Sequence, residues 1–168
     1  MKIIGITRVR NEEDIIINTL NHVSKLVDNI IVCDDASTDN TVELCKNHPK
    51  VISVIENKKW GSTPQDRHVA EGKLRQLPYI EAVNNGADWV YYFDADEYID
   101  FNNVDFNSNI ETYYFRLFDY YITEGDVDKN YLEREYIGPE YRDIPMLFKV
   151  NPNLFFNQRI PIVTGKLK

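Results

Sequence analysis

The sequence predicts an α/β fold: a mostly parallel sheet flanked by helices over residues 1–100, followed by a smaller mixed half over residues 101–168. Three observations predict it. Short, almost unbroken apolar runs recur at "KIIGIT" (2–7), "NIIVCD" (29–34), "VISVIE" (51–56) and "DWVYYFD" (88–94). Strands that are apolar throughout, rather than alternating, are those buried on both faces of a parallel sheet. Segments of helical character separate these runs, which is the βαβ order. Beyond residue 100 the pattern changes to partly alternating aromatic stretches.

The elements follow in order. Behind the first strand, "EEDIIINTLNHVSKLV" (12–27) sets Ile16, Leu20, Val23 and Val27 at helical spacing, with acidic residues in the first turn. After the second strand, "STDNTVELCKN" (37–47) opens on cap-forming residues and continues as a helix. The third strand leads into "NKKWGSTPQD" (57–66), a loop by its Gly, Ser, Asn and Pro. A helix is expected from about Arg67, interrupted near Pro78. In the second half, "IETYYFRLFDYYIT" (110–123) is β-rich, and its aromatic run is expected in the core. The polar stretch 124–143 reads as loop, with short strands at 144–150 and 153–156. A single domain of 168 residues is large enough to bury its own core.

A net charge of −8 excludes nucleic acid as the main partner, since phosphate backbones select basic faces. The amino terminus reads as a first strand rather than a leader, and no apolar stretch is long enough to span a bilayer. Cys33 and Cys45 lack metal-type spacing and are expected as two buried thiols, so a reducing, cytoplasmic setting is expected.

The chemistry concentrates where the strands end. In an open parallel sheet, ligands bind beyond the carboxyl ends of the strands. Those ends carry "TRVRNEE", "CDDASTD", "ENKKWG" and "DADEY". In the last, Asp94 and Asp96 are two residues apart, so an extended chain points both the same way. Two adjacent carboxylates repel unless a cation sits with them, and Mg²⁺ or Mn²⁺ takes such oxygens together with substrate phosphates. One residue suffices to cap the helix after strand two, so Asp34 and Asp35 are in surplus, and a carboxylate there can accept a hydrogen bond from a base or ribose.

"TRVRNEEDIIINTL", "VCDDASTDNTVE" and "WVYYFDADEYI", in that order and spacing, resemble the family 2 nucleotide-sugar glycosyltransferases of GT-A fold, over about residues 1 to 100. The resemblance implies a Rossmann-like nucleotide-binding half and an acceptor half. It implies that Thr7, Arg8, Val9 and Arg10 surround the base, with Asn11 and Glu12 matching the family's Asn-Glu pair. It implies that Asp35 holds the base, that Arg75 or Arg67 faces the diphosphate, and that Asp94, Ala95 and Asp96 form the DxD motif, with Asp94 and Asp96 as metal ligands. The chain departs from the family at Arg8 and Arg10, where a proline and an aromatic are usual, and "FFNQRIPIVTG" lacks the histidine many relatives carry.

The implied reaction moves a sugar, with inversion, from a UDP-sugar, or alternatively a GDP-sugar, to a hydroxyl of a glycan, glycoprotein or other acceptor, with Mn²⁺ or Mg²⁺. A carboxylate of the polar stretch would serve as general base: Glu124, Asp126, Asp128, Glu133, Glu135, Glu140 and Asp143 are available, with Glu140 and Asp143 favoured by the turn at Gly138–Pro139. Trp60 either covers the sugar or anchors its loop. Two other readings stand beside this one: an inactive nucleotide-binding module, and a DxD phosphatase, which would place its motif on the first strand.

Overall fold

A computed structural model describes residues 1–121, 123–126, 129, 133–157 and 160–163, with 157 and 160–163 described by backbone alone. Four strands, β1 (Ile3–Val9), β2 (Asn29–Asp35), β3 (Val51–Asn57) and β4 (Trp89–Tyr92), run parallel in the order β3-β2-β1-β4. Two more continue the sheet antiparallel: β6 (Ile137–Lys149) against β4, then β5 (Thr112–Tyr120) at the edge. The remaining strands, β7 (Leu154–Asn157) and β8 (Ile160–Val163), form a separate antiparallel pair.

Alternating residues of the parallel strands feed two apolar layers. On one face Ile3, Val9, Ile30, Val32, Tyr91 and Phe93 pack against α1 (Ile16–Val23) and against Cys45 of α2 (Thr41–Asn47). On the other, Ile4, Ile6, Ile31, Val90 and Tyr92 pack with Tyr79 and Ala82 of α3 (Pro64–Asn84). Both faces are covered, which is why these strands read as unbroken apolar runs. Cys33 and Cys45 are free, and burial pushes both thiols up to about 12.

Several boundaries differ from expectation, each for a local reason. Helix α1 is shorter than residues 12–27 because Asn11 takes φ 53° and the backbone N–H of Glu12 donates to Thr41 Oγ1, so this segment joins the rim. Helix α2 starts at Thr41 because Ser37 and Thr38 bond to Asn11 instead. Helix α3 begins earlier than Arg67: Thr63 and Asp66 form a capping box with Pro64 in the first turn. It runs through the buried Pro78 without a break.

The largest departure is the first half of β6, where residues 137–143, Glu140 and Asp143 among them, extend the strand expected at 144–150 back into the expected loop. Its polar residues pair across to β5, Arg116 with Asp143 and Arg142 with Asp119. The aromatic run of β5 divides by face: Leu117 is buried and Tyr113 and Phe115 pack on the core, whereas Tyr114 and Phe118 are exposed.

Candidate active site

Strand β1 is the switch point of the sheet, since the chain leaves it outward to β2 and β3 and returns on its other side at β4. Open α/β sheets bind ligands in the crevice at such a point. The carboxyl ends of β1, β2 and β4 therefore define the rim.

At the β1–β2 end, Arg8 donates through Nε (3.1 Å) and Nη2 to Asp35 Oδ2, while Asn57 Nδ2 donates to Asp35 Oδ1 at 2.7 Å. Asp35 is 3% exposed, so its charge is balanced by Arg8 rather than by water. The turns after β1 and β2 interlock: Asn11 Oδ1 accepts the Thr38 N–H at 2.8 Å, and Glu13 Oε2 accepts both the N–H and the Nδ2 of Asn40. Asn11 and Ala36 both hold left-handed backbone, a strained conformation that recurs at functional sites. Beside Asp35 opens a cleft of about 450 Å³, lined by Asn57, Lys59, Gly61, Arg67, Lys73 and Leu74 among others. Above it the Arg10 guanidinium lies 3.8 Å from the Trp60 ring centre and Arg67 lies at 5.2 Å, so Trp60 anchors its loop across the rim.

At the β4 end, the "DADE" turn is held from three sides. From α1, the Thr19 hydroxyl donates to the Ala95 carbonyl, and His22 Nε2 meets the Ile99 carbonyl at 2.7 Å. From within, buried Glu97 accepts the Asp94 N–H at 3.4 Å and is paired at 3.6 Å by Arg142 of β6. From the α3 side, Tyr92 donates its hydroxyl to Asp94 Oδ1 at 2.7 Å, and Arg75 Nη1 lies 3.6 Å from the same oxygen. Arg75 is 5% exposed, pairs with Glu71 at 3.0 Å and faces the Tyr92 ring at 4.4 Å, yet its Nη1 makes no hydrogen bond among the described residues. Burial pulls its pKa down, and the Asp94 and Glu71 carboxylates oppose that fall.

Asp96 is exposed and Asp94 is half-buried. The Glu12 carboxyl is raised above its ordinary range, first by burial and then by the nearby charges of Asp96, Asp39 and Asp94. Negative charge thus gathers where the DxD turn meets the β1 turn. Among the described residues no group of three or more His, Cys, Asp or Glu is arranged to hold a metal ion.

The structure brings Arg8, Arg10, Asp35, Arg75, Asp94 and Asp96 to the one rim. Thr7 and Val9 turn their side chains into the buried layer and leave only backbone at the edge. Arg67 sits on the cleft and donates to the Gly61 carbonyl, so Arg75 is the arginine beside Asp94. Tyr121 donates to Glu140 of β6 at 2.6 Å and Arg116 to Asp143 of β6 at 2.8 Å, and each partner holds its carboxyl below the ordinary range. Asp128, and part of "FFNQRIPIVTG", lie outside the described residues. Sequence reasoning missed Tyr92 and Asn57. Only Tyr92 left a signal, as a tyrosine two residues before an aspartate at a strand end.

An open α/β domain of this kind places its ligand crevice at the switch point, here beside Asp35 and Asp94. A solved structure, a 4-diphosphocytidyl-2C-methyl-D-erythritol synthase, matches with TM-score 0.52 and 12% identity over 88% of this chain and 74% of its own, which supports the fold alone. Residues 6–65 match the family model "Glycosyl transferase family 2". The SPbeta prophage-derived glycosyltransferase SunS of Bacillus subtilis is 29% identical over 153 residues, 90% of this chain and 32% of SunS. Rv3786c of Mycobacterium tuberculosis, an uncharacterized protein, is 34% identical over 96 residues, 57% of this chain and 23% of its own length. The chain spans between about a quarter and a third of these curated relatives. No described helix is long and apolar enough to cross a membrane.

Proposed function

We propose that this chain carries the donor site of a metal-dependent glycosyltransferase that moves a sugar from a UDP-sugar to an acceptor hydroxyl, with inversion. The observation that carries the reading is the meeting of Asp35, Arg75, Asp94 and Asp96 at one rim. A carboxylate beside a cleft accepts a ring N–H of the base, which uracil presents at N3 between two carbonyls and guanine at N1 beside its 2-amino group, so a GDP-sugar is the alternative donor. Arg8 and Asn57 hold the Asp35 carboxylate in place for that contact. Arg75, with an unused N–H, supplies positive charge beside the departing diphosphate. Asp94 and Asp96 would hold Mn²⁺ or Mg²⁺, which neutralises charge on the leaving group when bound. A carboxylate of the second half takes the acceptor proton. Glu140 and Asp143 fill that role only if acceptor binding displaces Tyr121 or Arg116. The acceptor is a hydroxyl of a glycan, glycoprotein or similar molecule.

Calorimetric titration of UDP and GDP, each with and without Mn²⁺, tests the donor reading. One nucleotide should bind tightly only with the ion, and Asp96→Ala should abolish the metal-dependent part. Failure of both nucleotides to bind removes the reading. Nucleotide binding without sugar transfer favours the inactive module.

A further inference from the structure

We propose that Tyr92 is a positioning residue of the donor site: its hydroxyl fixes the plane of the Asp94 carboxylate, and so the face that Asp94 turns to the nucleotide diphosphate and its cation. The inference rests on the role given to Asp94 above.

Two neighbouring tyrosines make the case. Tyr91 and Tyr92 point to opposite faces of β4, as successive strand residues must. Tyr91 is fully buried in the α1 layer, stacked on Phe93, and its hydroxyl has no hydrogen-bond partner among the described residues. That hydroxyl does nothing for the fold that a phenylalanine would not do. Tyr92, 2% exposed in the α3 layer, aims its hydroxyl at Asp94 Oδ1 at 2.7 Å.

The same ring faces the Arg75 guanidinium at 4.4 Å, so one side chain sets both members of the Arg75–Asp94 pair. The ring lies against the cation and the hydroxyl against the aspartate, whose Oδ1 stands 3.6 Å from Arg75 Nη1. Without the hydroxyl, Asp94 Oδ1 loses its 2.7 Å donor, and the attraction between opposite charges draws the carboxylate toward Arg75. The DxD charge is then spent within the protein instead of on the ligand.

Tyr92→Phe keeps the ring and its packing, and Tyr91→Phe is the matched control. With Mn²⁺ present, Tyr92→Phe should weaken UDP binding about tenfold or more, the effect of losing a hydrogen bond to a charged group. Its affinity for uridine, which has no phosphate, should stay at the wild-type value, and its melting temperature should stay within about 3 °C of the wild type. Tyr91→Phe should change neither affinity. Wild-type affinity for UDP and Mn²⁺ in Tyr92→Phe overturns the inference alone, as does an equal loss of UDP and uridine. Absence of UDP and GDP binding by the wild-type protein overturns the donor-site reading and the inference with it.

Discussion

Asp35→Ala removes one carboxylate and leaves two donors stranded, which makes two separable losses. Arg8 loses Nε and Nη2 contacts and Asn57 loses its 2.7 Å acceptor. Asp35 is 3% exposed while the Arg8 side chain is 18% exposed. Removing one partner of a fully buried pair costs about 3–5 kcal/mol. Water reaches part of Arg8, so the expected cost falls to about 2–3 kcal/mol. In a domain of this size each kcal/mol moves the melting temperature by about 2–4 °C, giving a fall of about 4–12 °C without any ligand. The lost base contact should weaken UDP about tenfold to 150-fold, as for a hydrogen bond to a charged group. Differential scanning calorimetry reads the first loss. Titration well below the new melting temperature reads the second. An unchanged melting temperature refutes the ion pair, and a lowered one with intact UDP affinity refutes Asp35 as the base acceptor.

Glu140→Gln and Asp143→Asn should each hold kcat within about threefold of wild type, because both carboxylates are tied to the β5–β6 ribbon. A loss of a hundredfold or more in kcat, of the size general-base removal brings, would return one of them to the chemistry. His48 is 7% exposed, and burial lowers its pKa from 6.5. The unfolded chain takes up that proton near pH 6.5 while the folded chain resists it, so this stability is present above pH 6.5 and lost as the pH falls toward the lower folded value. Urea unfolding from about pH 7 to pH 5 should therefore fall less steeply in His48→Asn than in wild type. Equal slopes would remove His48 as the cause.

The parallel half was legible because its signals are local. Four apolar runs became β1 to β4, and the acid-rich ends of those runs became the rim. Where reading failed, distant groups had overridden a local pattern. The amino-terminal turn of the expected 12–27 helix was claimed by Thr41, 29 residues on. The polar 124–143 stretch hid a strand because charged residues on an exposed ribbon pair across strands, a pattern that carries no apolar periodicity. The exposed half of the β5 aromatics could not be told from core without its burial.

By itself the sequence determined the order of strands and helices, the surplus of carboxylates at the strand ends, and the likeness to family 2 glycosyltransferases. These depend on spacings of two and of three to four residues along one chain. Only the tertiary structure decided which charges meet: Arg8 with Asp35, Arg75 rather than Arg67 with Asp94, and Arg116 with Asp143 across β5 and β6. The reason is that a charge finds its partner through distances set by sheet register and helix packing, and spacing along the chain does not encode those distances.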